Sequence, residues 1–284
     1  MNSPYITSCP VGCNAPLQTT SIVLPEGALL RCTACSQWVS QCSEAQYVLS
    51  MREFDDPQGT LPTAASSARR FQLGSKWLGK IGQMLGQSAQ EIHLLDVGCS
   101  SGAFLRIATQ LGYQAEGVEP ATQAAQAAQA AGLKVHHGLL QDIGFAAQSF
   151  DAVTLFEVIE HLKEPLGLLQ ECHRLLKPGG IMLIGTGNAA SWTAAVMGPR
   201  WEYLHIDGHG GHVSFFNPAS MALLAQRSGF MLEKIETRNV RFFEKGERSP
   251  AIYAAAKIAA ELLNAPARLL GKGHDMAVFL RRSD

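Results

Sequence analysis

Along the middle of the chain, short apolar runs alternate with stretches of helical period. "LLDV" at 94–97 predicts a buried strand, residues 98–102 a turn of small residues, and residues 103–111 a helix with Gly112 as its C-cap. "YQAEGVEP" predicts a strand ending in Glu119, and "ATQAAQAAQAAG" an Ala-rich crossover helix stopped by Gly132. "KVHHG", "SFDAVTLFEVI" and "GGIMLIGTGN" predict three more strands, with the helix "PLGLLQECHRLLK" before the last. Strands that alternate with helices predict an α/β fold, a parallel sheet covered on both faces. Outside this core, "ARRFQLGSKWLGKIGQMLG" predicts a helix ahead of the first strand. "NPASMALLAQRSGF" predicts a helix capped by Asn217 with Pro218 in its first turn. Between Arg241 and Lys272, "SPAIYAAAKIAAELLNAPARLLGKG" reads as an Ala/Leu-rich helical hairpin split at Pro266, a lid or dimer surface over 241–275.

The first 50 residues lack this alternation and carry cysteines instead. Cys9 and Cys13 lie in "CPVGC", Cys32 and Cys35 in "CTAC", with the hairpin-like "SIVLPEGALLRC" between them. Two close pairs about twenty residues apart suit a tetrahedral four-thiolate zinc site, structural because it leaves no open position. The first pair has the looser spacing, and Cys42 is a possible substitute ligand. A lobe this small gains little from burial alone, which favours a metal. Residues 51–67, including "EFDDPQGTLPTAASS", read as a linker to a main domain over 68–284.

Composition narrows the class. A chain of 284 residues with 46% apolar residues builds a sizeable core. A net charge of -1 argues against a nucleic-acid partner held by phosphate contacts. No run of about 18 apolar residues predicts a transmembrane helix, and no export signal is visible at the N-terminus. Seven cysteines without such a signal point to reduced thiols or metal ligands in a cytoplasmic protein.

In such sheets ligands bind beyond the carboxyl ends of the strands. Gly98 and Gly102 end the first strand, and Glu119 ends the second with a carboxylate suited to two ribose hydroxyls. The turn "GCSSG" is not the G-x-G-x-x-G of dinucleotide sites. Taken together in order and spacing, "LLDVGCSSGAFL", "GVEP", "SFDAVTLFEVIEHL" and "RLLKPGGIMLIGTGN" resemble class I S-adenosylmethionine-dependent methyltransferases over about 70–240. The resemblance implies a seven-stranded, mostly parallel Rossmann-like sheet whose last strand is antiparallel, with "FMLEKIETRN" and "DMAVFLRR" as strands six and seven. It implies S-adenosyl-L-methionine as cofactor, with Asp96, Gly98 and Gly102 in the first motif, Glu119 on the ribose, Gln141 and Asp142 near the adenine, and Phe156 and Glu157 beside the methionine part. Ser100 departs from the pattern by standing where a glycine is usual. If that position needs positive φ, it costs roughly 1 kcal/mol or more.

"FEVIEHL" sets Glu157, Glu160 and His161 at i, i+3, i+4, on one face if a helical turn follows the strand. His161 is the best-placed general base, its ordinary pKa suited to moving a proton near neutrality. The run is similar to that of ubiquinone-pathway O-methyltransferases and of small-RNA 2′-O-methyltransferases. In the latter the glutamates, the histidine and a later histidine hold a divalent ion. The resemblance therefore allows an active-site metal, with His212 the best match among His205, His209 and His212 for the later ligand. The alternative is that Glu160 and His161 only order the loop over the cofactor.

The substrate side would be built by the long Gly-rich insert over 186–217, whose Trp192, Trp201, Tyr203 and Phe215 could form an apolar or sugar-stacking wall or pack on the core. A zinc-ribbon lobe before this domain resembles bacterial methyltransferases of nucleotide sugars or surface polysaccharides. The leading expectation is thus methyl transfer to a hydroxyl of a sugar or glycan precursor, the alternatives a quinone or lipid-phenol acceptor, or a non-catalytic scaffold on the cofactor fold. A homodimer is compatible with the 241–275 segment.

Overall fold

The computed structural model describes residues 3–55, 64–206, 211–243 and 247–283. Its larger sheet has seven strands: β4 (His93–Val97), β5 (Gln114–Glu119), β6 (Val135–His137), β7 (Phe150–Phe156), β8 (Leu176–Gly187), β10 (Phe230–Arg238) and β11 (Asp275–Arg282). The smaller has four: β1 (Leu17–Leu24), β2 (Gly27–Cys32), β3 (Trp38–Val39) and β9 (Ser214–Phe215). The helices are α1 (Glu44–Met51), α2 (Ala64–Leu85), α3 (Ala103–Gln110), α4 (Thr122–Ala130), α5 (Leu140–Ile143), α6 (Pro165–Leu175), α7 (Trp192–Met197), α8 (Pro218–Arg227) and α9 (Pro250–Leu269).

The large sheet runs β10-β11-β8-β7-β4-β5-β6, with β11 antiparallel to both neighbours. The chain goes outward from β4 to β5 and β6, then crosses back to β7 on the other side. That reversal opens a crevice beyond the carboxyl ends of β4, β5 and β7. The central strands are covered on both faces, which is why Ile181 to Ile184 of β8 form an unbroken apolar run without exposure. On one face Trp77 and Ile81 of α2 and Ile107 of α3 pack against Leu183 and Phe279. On the other, Leu169 and Leu175 of α6 and Met221 and Leu224 of α8 pack against Val153, Met182 and Met276.

The small sheet begins as the expected hairpin, Leu24 opposite Gly27 and Leu17 opposite Cys32. Its fourth strand comes from far along the chain: Trp38 pairs with Phe215 and Val39 with Ser214. The cysteine lobe therefore shares a sheet with the insert that follows β8. Asn217 caps α8 as expected, accepting hydrogen bonds from the Ala219 and Ser220 amides, while its Nδ2 donates to the Cys35 carbonyl at 3.2 Å.

Three expectations are corrected. The stretch before β11 is one helix, α9, not a hairpin: Pro266 sits inside its last turn and the helix continues through it to Leu269. Cys42 is not a ligand candidate: it is buried among Ile6, Val39 and Val213, away from the other four thiols. Trp201, Tyr203 and Phe215 form no open wall. They fill a core under the small sheet with Leu29 and Met197, and Trp201 and Phe215 have no exposed surface. Of the expected linker, residues 56–63 lie outside the described residues, as does His209.

Candidate active site and zinc centre

The cofactor crevice is a cavity of about 730 Å³. Its floor begins at Gly98, φ +71°, where a Cβ would come within 2.4 Å of Val158 Cγ2, so only glycine lets β4 turn under the β7 loop. Ser100 does take positive φ, at 49°. Its amide donates to Glu119 Oε2 and that of Ala121 to Oε1, both at 2.8 Å. The two backbone bonds fix the carboxylate at the cavity wall. Gly98, Ser100, Glu119, Gln141, Phe156, Glu157 and His161 all line the cavity. Asp96, Gly102 and Asp142 do not. Asp96 is buried beneath the loop, where Thr154 Oγ1 donates to it at 2.7 Å. Burial raises its carboxyl to about 7, against the Thr154 hydrogen bond, with the Glu119 charge adding to the rise.

The lining also includes residues no motif announced: Tyr47 and Met51 of α1 and Phe54 of the single 3₁₀ turn after it. Phe54 meets the His161 ring edge-on at 5.2 Å. No described residue of the 241–275 segment belongs to this lining.

Behind Phe156 the chain turns through Glu157, at φ +52°, into a 3₁₀ turn over Ile159–His161. Positive φ in a glutamate is uncommon and marks a backbone held by its surroundings. Glu157 and Glu160 meet at the hydroxyl of Tyr203. Tyr203 Oη lies hydrogen-bonded against Glu160, 2.9 Å from Thr186 Oγ1 and 3.3 Å from Glu157 Oε2, and it accepts the Gly187 N–H at 2.9 Å. Gly187 is required here, since a Cβ would fall 2.7 Å from the Tyr203 ring. Burial, then the Glu160 charge, hold Glu157 well above the usual carboxylate range. Burial also pushes Glu160 up, but His212 and His161 outweigh it and keep its carboxyl below that range. Of the two, Glu160 is the more acidic.

His212 Nδ1 donates to the Tyr203 carbonyl at 2.9 Å, and its Nε2 lies 3.9 Å from Glu160 Oε1. His161 stacks obliquely on it at 4.7 Å, and its buried Nδ1 has no hydrogen-bond partner among the described residues. Glu160, His161 and His212 bring their ligand atoms within 4.8 Å of one another. His205 is apart, bonded through Nε2 to the Pro199 carbonyl. Tyr203, the residue that joins this group, carried no signal in the sequence beyond its place in an aromatic insert.

The second cluster is Cys9, Cys13, Cys32 and Cys35, all buried and unbridged, with Sγ atoms within 4.8 Å of one another. Cys9 and Cys35 Sγ are 3.5 Å apart. Thiolates about 2.3 Å from a tetrahedral zinc would stand about 3.8 Å apart, so the donor set fits that ion. Burial pushes the Cys9 thiol up to about 11 in the absence of a cation. A divalent ion would offset that cost and deprotonate the thiols. The Arg227 guanidinium donates to the Val11 carbonyl and approaches Cys13 Sγ at 3.7 Å, adding positive charge beside the cluster.

A Rossmann-like sheet with the antiparallel β11, a glycine turn under a nucleoside-sized cavity and an acid ending β5 define an S-adenosylmethionine-dependent methyltransferase. Residues 68–235 match the family model described as "Methyltransferase domain", and the chain belongs to that family. It is 34% identical over 162 residues to a ubiquinone biosynthesis O-methyltransferase of Cereibacter sphaeroides, covering 54% of this chain and 65% of that one. It is 31% identical over 152 residues to the same enzyme of Xanthomonas axonopodis pv. citri, covering 50% and 64%. The chain thus spans just under two thirds of these relatives. Among solved structures it resembles a SAM-dependent methyltransferase of Archaeoglobus fulgidus (TM-score 0.53, 17% identity, covering 83% of this chain and 99% of that one). It also resembles an S-adenosylmethionine-dependent methyltransferase of Mesorhizobium loti (TM-score 0.52, 19% identity, covering 75% and 100%). These likenesses concern the fold. No helix among the described residues is long and apolar enough to cross a membrane.

Proposed function

We propose that the protein methylates a hydroxyl of a small, largely apolar acceptor of phenol or quinol type. The observation that carries this reading is His161, with its unpartnered Nδ1, at a cavity wall closed by Tyr47, Met51, Phe54 and Leu162. S-adenosylmethionine, when bound, supplies an electrophilic methyl group. Glu119 would hold its ribose, Gln141 its adenine edge, and the Gly98–Ser100 turn its amino-acid tail, with Asp96 and Gly102 shaping that turn from below. His161 takes the acceptor proton, and the ionised Glu160 stabilises the imidazolium that results. Phe54 and Met51 keep water from the methyl group, and holding the acceptor in line can supply on the order of 7–11 kcal/mol.

Glu160, His161 and His212 also fit a divalent cation: one ionised carboxylate and two imidazoles, with His212 oriented by a carbonyl as metal-binding histidines commonly are. Such an ion would lower the acceptor hydroxyl's pKa. The ubiquinone-pathway relatives support an aromatic acceptor. A sugar hydroxyl is the second reading, favoured by Glu164 and Glu171 at the cavity wall, whose carboxylates accept hydrogen bonds from hydroxyls.

Methyl incorporation into catechols, quinols and nucleotide sugars tests the acceptor. Product from phenolic hydroxyls is expected, and product from nucleotide sugars alone would overturn that choice. In the same assay His161→Ala should lower turnover about 10²- to 10⁴-fold, the usual contribution of a general base, with S-adenosylhomocysteine affinity near wild type. Full activity would reduce His161 to an ordering role. Glu119→Ala should weaken S-adenosylhomocysteine binding about tenfold or more in calorimetry, as expected when charge-assisted hydrogen bonds are lost. Unchanged affinity would remove Glu119 from the ribose.

A further inference from the structure

Arg238 ends β10 at the same carboxyl edge of the sheet. It lies opposite Asp275, and Asp275 opposite Gly187, whose amide holds the Tyr203 hydroxyl. Two strand spacings of about 4.8 Å put the Arg238 backbone roughly 10 Å from that of Gly187. Its guanidinium is poorly paired. Nε is buried without a hydrogen-bond partner among the described residues. The Asp275 carboxylate stands 4.0 Å away and is already engaged by Asn239 Nδ2 at 2.9 Å and His274 Nε2 at 3.4 Å. The guanidinium lies over the buried Trp77 ring at 5.3 Å. An arginine stacked on an indole is held in place while its in-plane donors stay free for a forked partner. Arg69 of α2 acts on it electrostatically as a like charge, and the carboxylates of Asp275 and Glu157 act on it as opposite ones.

We propose that Arg238 anchors an anionic group, a carboxylate or a phosphate, carried by the methyl acceptor. The acceptor is then an acidic phenol rather than a neutral one. The catalytic part of this statement rests on the hydroxyl-methylation reading above; the anion site itself does not. A purely structural Arg238, serving only to cover Trp77, would show no preference among ligands.

The test is calorimetric titration of the S-adenosylhomocysteine-loaded protein with phenol, benzoate and phenyl phosphate, for wild type, Arg238→Lys and Arg238→Gln. At least one anion should bind wild type about ten- to a hundredfold tighter than phenol, the range a charge-assisted hydrogen bond supplies. Preference for benzoate assigns a carboxylate, preference for phenyl phosphate a phosphate. Arg238→Gln should bring that anion to the phenol level, and Arg238→Lys should retain part of the preference. No preference in wild type, or the same preference in Arg238→Gln, overturns the proposal. If Arg238→Gln fails to bind S-adenosylhomocysteine, Arg238→Lys decides: an undiminished anion preference there overturns the forked contact, and a reduced one supports it. Methyl transfer to catechol and to its carboxylated analogue protocatechuate separates the two claims. Transfer to neither, with Arg238-dependent anion binding intact, removes the hydroxyl reading and leaves the anion site. Equal transfer to both, with no anion preference in binding, removes the anion site and leaves the hydroxyl reading.

Discussion

Cys35→Ser should strip the protein of its zinc and abolish turnover, although no cysteine of the cluster lines the cofactor cavity. The cluster is connected to the proposed reaction centre by a short path. Cys35 accepts the Asn217 amide through its carbonyl, and β3, three residues on, pairs with β9. Next to β9, the Ser40 amide donates to the Val213 carbonyl at 3.0 Å and the Val213 amide to the Glu160 carbonyl at 2.9 Å. His212 precedes Val213 directly. Structural zinc sites of this kind contribute apparent binding energies of about 10–16 kcal/mol, far more than the net stability of an ordinary domain. Metal analysis after dialysis should find zinc in wild type and little in Cys35→Ser. The thermal midpoint should fall, and amide exchange should quicken first in β1–β3 and in β9. S-adenosylhomocysteine affinity should fall much less than turnover, because the glycine turn and Glu119 sit on the other sheet. Full turnover in a zinc-free variant would show that the lobe does not hold His212.

Glu160→Ala should be the most damaging change in the reaction centre. Glu160 has no exposed surface, takes the Tyr203 hydroxyl and the Thr186 hydroxyl, and carries the buried negative charge next to His212. Its removal leaves those two buried donors unsatisfied, at about 1–3 kcal/mol each. Chemical denaturation should register that loss, and turnover should drop by about 10² or more as the His161–His212 arrangement loses its anchor. Glu160→Gln, which keeps the shape and an acceptor, should recover most of the stability but little of the activity. Equal recovery of both would mean that the charge itself is not used.

How far the chain could be read depended on how local each feature is. The strands, the crossover helices, the glycine turn and Glu119 were legible because each depends on residues within a few positions, through periodicity, caps and turn chemistry. The two cysteine pairs were legible from spacing alone. Tyr203 was not. Nothing near it in sequence marks a tyrosine whose hydroxyl joins Glu157 to Glu160, since that depends on Gly187 leaving room across β8. The same holds for Phe54, which reaches His161 from a turn about a hundred residues earlier by way of tertiary packing. Trp201 and Phe215 resembled surface recognition aromatics because they lie in a polar, Gly-rich insert. They are buried because the small sheet covers that insert, and a pairing between β3 and β9 leaves no periodic trace in either segment. Pro266 misled in the opposite sense, because a proline costs a helix the bond of its own missing N–H but need not end it.

The β3–β9 pairing also bears on how the chain assembles. β3 ends at residue 39, while its partner begins only at residue 214. During synthesis the thiol cluster emerges early and can load metal, but one border of its sheet stays unpaired until more than three quarters of these 284 residues have left the ribosome. Contacts this distant in sequence close slowly, and an uncovered border invites pairing with other chains. Truncations that end before β9 should therefore be prone to aggregate even with zinc in place, and the lobe cannot be regarded as a module that matures ahead of the enzyme it precedes.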